Sequence, residues 1–173
     1  VSRRPPCIPP HSLPAAWSTC LTPHLDIPPL AGAGVFLLQL DTHHGQVYTA
    51  DKWRAFAGWL ATAAPDAGAA VIHPLLAALP DDDWLGTKAR YLADSSRYYV
   101  YPRESLTTAY GEPGTHFDRA TAFFQVPLQQ LRRDFRFIPL DDAIAVYDGF
   151  YEMLPERLDR LTPALRDQRY DVD

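Results

Sequence analysis

Two cysteines are all that the chain has, and both, Cys7 and Cys20, sit near its amino end. They are close enough to pair, yet one pair in a chain with ample core material is not a disulfide scaffold, so a reducing cytoplasm is the default compartment. No apolar run approaches the roughly 20 residues that a membrane-spanning helix requires. The start, VSRRPPCIPP, has two arginines but no apolar segment behind them to make a signal peptide, so the chain reads as soluble. No serine or cysteine stands in a nucleophile context, because a Gly-x-Ser-x-Gly elbow is missing. There is no phosphate loop and no dinucleotide fingerprint, since the glycines of AGAG, Ala31 to Gly34, precede an apolar run instead of following one. A net charge of −5 and a pI near 5.6 provide no broad basic surface and argue against general nucleic-acid binding. The local cluster Arg132, Arg133 and Arg136 can still meet a phosphate.

What is present suffices for a packed core: 47% hydrophobic and 12% aromatic residues over 173 positions, about one domain in length. Val1 in place of an initiator methionine is what trimming, or a fragment, would produce. Residues 1–30 hold eight of the seventeen prolines, which removes backbone donors and disfavours a helix or a central strand. This stretch reads as an extended arm that wraps the domain through Ile8, Leu13, Trp17 and Leu21, or as a poorly ordered leader.

GVFLLQL, Gly34 to Leu40, fits a strand buried on both faces. From Asp51, the spacing of Trp53, Phe56, Ala57 and Leu60 predicts a helix to about residue 64, with Thr49 or Asp51 as caps. Ala69 to Leu79 is a second helical segment if Pro74 lies near its first turn. Asp81 to Asp83 then precede Trp84, Leu85, Lys88, Tyr91 and Leu92, the stripe of a third helix. Arg97–Tyr101, Ala122–Val126 and Phe135–Ile138 read as strands, and Asp141–Leu161 as mostly helical, with Ile144, Tyr147, Phe150 and Tyr151 toward a core. Residues 31–173 thus read as one α/β unit with a mixed sheet and flanking helices, more a part of a domain than a finished one.

Chemistry concentrates in YPRESLTTAYGEPGTHF, Tyr101 to Phe117. Gly111 and Gly114 allow positive φ and close backbone approach, while Thr107, Thr108, Thr115 and His116 bring hydrogen-bonding groups. His116 can ligate a divalent cation, donate to a phosphate oxygen, or bond its own backbone. Arg103 can clamp a phosphate or carboxylate, with Glu104 as a competing partner. His43 and His44 are adjacent, so in a strand their rings would diverge, and surface histidines beside Gly45 is the plainer reading. Asp81 and Asp83 form an Asp-x-Asp, but their place between Pro80 and a helix favours capping over metal binding. The aromatics Tyr98, Tyr99, Tyr101, Phe123 and Phe124 suit a core.

The succession HHGQVYTADKWRAFAGWL, WLGTKARYL, RYYVYPRESLTTAYGEPGTHF, FFQVPL and AVYDGFYEMLP, spanning Gly34 to Leu161, resembles the carboxyl half of bacterial family 2 glycosyltransferases from polysaccharide gene clusters. YPRESLTT followed by GTH is the strongest part. The resemblance implies a nucleotide-sugar-binding GT-A fold, a divalent cation (manganese or magnesium), and transfer of a sugar from a nucleoside diphosphate to a saccharide acceptor. It implies that His116 lies near the donor diphosphate or its metal, with Thr115, Gly114 and Arg103 beside it, and that Gly45 and Trp53 belong to the acceptor side. Peripheral association with a membrane is expected beside the sugar donor and the acceptor, and the acidic balance of the chain leaves no nucleic-acid partner among the expectations. The chain departs from the family at Ala109, where asparagine is frequent, and at His44, where tryptophan is. The family's nucleotide-binding strands, metal-binding Asp-x-Asp and acidic base precede the matched region, and residues 1–30 do not resemble them. The rival expectation is a noncatalytic remnant that docks a protein partner through the proline arm or exposed aromatics.

Overall fold

The computed structural model describes residues 16–18, 34–41, 45–62, 72–80, 82–108, 111–114, 118–122, 125–126 and 138–165. Its elements are β1 (Ala16–Ser18), β2 (Val35–Leu38), β3 (Gln46–Val47), α1 (Ala50–Thr62), α2 (Pro74–Ala77), α3 (Trp84–Asp94), β4 (Tyr99–Pro102), β5 (Val146–Tyr147) and α4 (Pro155–Leu161), with 3-10 turns at Leu140–Asp142 and Pro163–Leu165. The strands form one mixed sheet in the order β3-β1-β4-β2-β5. β2 runs antiparallel to β4, from Val35 opposite Pro102 to Leu38 opposite Tyr99, and parallel to β5. Mixed α/β content is therefore observed, as the alternation of apolar runs and helical stripes predicts.

All four residues of β2 are buried, which is what an unbroken apolar run in a two-sided sheet should give. Phe36 and Leu38 join Tyr99, Tyr101 and Tyr147 on the face covered by Phe56 of α1 and Tyr91 and Leu92 of α3. Val35 and Leu37 join Val100, Val146, Ala143 and Leu154 on the other face.

Asp83 settles the choice between cap and metal ligand for its own carboxylate. Its Oδ1 accepts from the Leu85 and Gly86 amides at 2.7 and 3.4 Å at the start of α3, while Asp81 lies outside the described residues. α2 is shorter than the predicted second helix and begins at Pro74, with His73 Nδ1 accepting from the Leu75 amide. On α1 the buried stripe is turned by one residue from the expected one. Lys52 and Phe56 are buried and Trp59 half-buried, whereas Trp53 and Leu60 are exposed. Trp59 suits that position because its indole N–H reaches Asp94 Oδ2 at 2.8 Å, and Lys52 can bury its methylene stem.

Three other expectations fail. The arm contributes β1, which lies inside the sheet, parallel to β4 and antiparallel to β3. Proline density does not forbid this, because residues 15–22 between Pro14 and Pro23 contain no proline and keep every amide donor. The strand expected at Ala122–Val126 is absent at its described residues, where Gln125 N–H bonds Ala122 O in a turn; of Phe135–Ile138 only Ile138 is described, and it is irregular. Asp141–Leu161 is not one helix. β-branched Val146 pairs in β5, and Asp148 Oδ1 accepts from the Phe150 and Glu152 amides to make a turn. Pro155, which lacks a donor, can only start α4. Phe150 and Tyr151 are consequently exposed rather than in the core.

Gly111 and Gly114 part company as well. Gly111 takes φ +68°, and a Cβ there would stand 1.9 Å from the carbonyl oxygen of Thr121, whose amide bonds Gly111 O at 2.8 Å. Gly114 has no positive φ, and among the described residues a Cβ there would meet only the Glu112 carbonyl oxygen, at an ordinary contact distance of 4.0 Å. Gly111→Ala is expected to destabilise the fold by about 2 kcal/mol or more, and Gly114→Ala to change it by less than about 0.5 kcal/mol. Urea unfolding of both variants checks this, and equal losses would contradict it.

Candidate functional site

Beyond the carboxyl end of β2 the chain delivers Asp41 into the interior, where its side chain has no exposure. A buried carboxylate must be neutralised or hydrogen-bonded where it stands. Lys88, from the middle of α3, meets Asp41 Oδ2 at 2.8 Å and donates to Gln46 Oε1 at 2.8 Å. Gln46, the first residue of β3, donates its amide Nε2 to Asp41 Oδ1. Gly45 at φ +64° turns the chain into that strand.

Tyr48 adds a second tier. Its hydroxyl donates to Gln46 Oε1 at 3.0 Å and also contacts the Tyr99 hydroxyl; having a single proton, Tyr48 receives the bond that Tyr99 donates. Tyr101 closes the floor by donating to Leu40 O at 2.8 Å. Burial holds the Tyr99 hydroxyl far above its ordinary range, and the Asp41 charge pushes the same way. Burial also raises Tyr48, against the opposing pull of Tyr99 and Lys88. Both phenols remain protonated donors at neutral pH.

An aromatic wall borders this network. Tyr48 meets Trp53 edge-on at 5.8 Å, Trp53 lies 5.8 Å from Phe56, and Phe56 lies 5.7 Å from Trp84. The Lys88 ammonium stands 5.7 Å from the Trp84 ring centre and 5.8 Å from that of Tyr48, within cation–π range. Phe56 is buried at 2%, whereas Trp53 and Trp84 are 48% and 50% exposed. The result is a rim of two half-open indoles over a buried polar set.

Gly45 and Trp53 both stand on the segment that carries this network, Gly45 directly before Gln46 and Trp53 against Tyr48. Arg103 is not with them. It follows β4, its amide bonding Gly34 O at 3.1 Å, at the opposite end of the β2–β4 pair. Four residue pairs of strand intervene, about 13 Å at the usual rise. Gly114 is exposed; Thr115 and His116 lie outside the described residues, as do His43, His44, Ala109, Phe123, Phe124, Arg132, Arg133, Arg136 and both cysteines. Thr108 Oγ1 is engaged by the Val126 amide at 3.0 Å, a loop-holding role. Among the described residues no three His, Cys, Asp or Glu side chains gather to hold a metal ion, and no helix is long and apolar enough to cross a membrane.

Sequence reasoning missed Asp41, Gln46, Tyr48, Lys88, Trp84 and Tyr99 as site residues. One signal was available: Lys88 interrupts the apolar stripe of α3, a place where a cation needs a buried partner.

Lys88→Met would take a cation away from a carboxylate that has no solvent contact, and is expected to cost about 3 kcal/mol. Asp41→Asn/Lys88→Met, which removes the charge and keeps an acceptor for Gln46, should lose less than the single variant in urea unfolding. The order would reverse if the carboxylate were solvated. The tyrosines set a second expectation. Their folded pKa values lie above the unfolded 10.0, so their contribution is complete below pH 10 and is lost as the pH rises beyond it. Tyr99→Phe should make the alkaline fall in stability shallower, by up to about 1.4 kcal/mol per pH unit; an unchanged slope in urea titrations would show that Tyr99 ionises freely.

No family model, no curated protein and no solved structure matches this chain.

Proposed function

We propose that this chain holds a saccharide against the Trp53–Trp84 face, as the acceptor-binding part of a glycosyltransferase that draws on a nucleoside-diphosphate sugar in cell-surface polysaccharide assembly. The observation that carries the reading is the pairing of two half-exposed indoles with the Lys88–Gln46–Tyr48 set at their edge. A pyranose has apolar C–H faces and a hydroxyl rim. Indole faces suit the former, and fixed donors and acceptors suit the latter. Lys88 holds its ammonium beside the Asp41 carboxylate and Gln46 Oε1 and over the edge of the Trp84 rim, which sets a positive charge where a ligand oxygen would lie. Large apolar side chains held half in water at the edge of a polar cluster also call for a partner.

The GT-A arrangement, the manganese or magnesium ion and the donor-side roles of His116, Thr115 and Gly114 belong to the proposal through the sequence resemblance. The donor-side role of Arg103 belongs to it in the same way, and the residue stands at the end of β4 away from Trp53.

A second reading, a noncatalytic module that docks a protein, draws on another patch. Leu75 is 74% exposed on α2, near Phe150, whose ring meets His73 at 5.7 Å. It gains if the chain binds no glycan and transfers no sugar from any nucleotide donor.

The test is calorimetric binding of a hexopyranose oligosaccharide panel to the full chain. Trp53→Ala should weaken binding at least about tenfold while the thermal midpoint stays close to that of the parent. Equal affinity in the variant, or no binding by the parent, would remove the proposal.

A further inference from the structure

The wall has two indoles, and each has its own polar companion. Trp53 lies against Tyr48 at 5.8 Å, and Trp84 lies under the Lys88 ammonium at 5.7 Å. Phe56 forms the shared floor between them, its ring 5.8 Å from Trp53 and 5.7 Å from Trp84. The two indole centres are therefore at most about 11.5 Å apart. The polar companions are also joined, since Tyr48 and Lys88 donate to the same Gln46 oxygen at 3.0 and 2.8 Å.

We infer that the face is built as two adjacent subsites, Trp53 with Tyr48 and Trp84 with Lys88, and that its ligand is a saccharide of at least two linked rings. This rests on the saccharide reading above and makes it more specific. One pyranose face is about the size of one indole, and Phe56, which both indoles contact, is 2% exposed and adds no surface for the same ring. A single ring would therefore leave the second tryptophan half in water and unused. Two linked rings place one C–H face on each indole. The hydroxyl edge of the ring on Trp84 then meets the Lys88 ammonium. The other ring lies beside Tyr48, whose proton is committed to Gln46 and whose oxygen takes the Tyr99 hydrogen. The Tyr48 subsite thus offers little to a hydroxyl beyond its ring and stacks more than it hydrogen-bonds. The Lys88 subsite is the one that discriminates hydroxyl geometry.

The experiment titrates the full chain with glucose, galactose, mannose and N-acetylglucosamine and with the di- and trisaccharides of each. The expected result is a disaccharide that binds at least tenfold tighter than its own monosaccharide, with little further gain for the trisaccharide. Trp84→Ala should bring the disaccharide down to the monosaccharide level while retaining the near-ultraviolet dichroism of a packed core. Equal affinities for one and two rings in the parent, or a preference that survives Trp84→Ala, would overturn the two-subsite arrangement and leave saccharide binding standing. No binding of any of these sugars would overturn both.

Discussion

A carboxylate with no solvent contact beyond the end of β2 imposes the organisation of one half of this molecule. Asp41 needs a cation and a hydrogen bond, and it takes them from two different elements, Lys88 of α3 and Gln46 of β3. Those contacts fix how α3 lies on the sheet and where the edge strand ends. Such a pair adds little net stability over an apolar substitute, because desolvating two charges offsets most of their attraction. What it adds here is position. The ammonium is held at a defined height beside two aromatic rings, and the glutamine oxygen is shared between an ammonium and a phenol.

The tyrosines extend that constraint inward. Tyr99 and Tyr101 lie in a strand whose four residues are all buried yet carry hydroxyls, and each has an outlet, Tyr48 for one and the Leu40 carbonyl for the other. Buried phenols without partners would be costly. With partners they become directional, and they aim the polar network toward the Trp53–Trp84 rim rather than toward the second core face.

Much of the framework was legible in the sequence because it follows from local rules. The run VFLL, the capping aspartate before Trp84 and the aromatic strand at Tyr99 each announce an element through pattern alone. Expectations failed where a longer-range partner decided. Val146 and Tyr147 become a strand only because β2 presents a free edge to them. The α1 stripe turns by one residue because Asp94, on another helix, offers an acceptor to Trp59. The site itself was half legible. Gly45 and Trp53 stand at it, but Asp41 and Lys88 are 47 residues apart in the chain, and no spacing rule links them.

The place of Ala16–Ser18 in the sheet carries a kinetic corollary. Among the described strands, the one that bears Gln46 pairs with β1 alone, and β1 is held on its other side by β4, some 80 residues further along. Contacts of such sequence separation form late and slowly. During synthesis the amino-terminal segment must therefore wait, unpaired on that side, until Tyr99 and Val100 have left the ribosome. Gln46 can meet Asp41 early, five residues away, but the long-range contact of Lys88 with that carboxylate makes the complete polar network a late part of the fold to assemble.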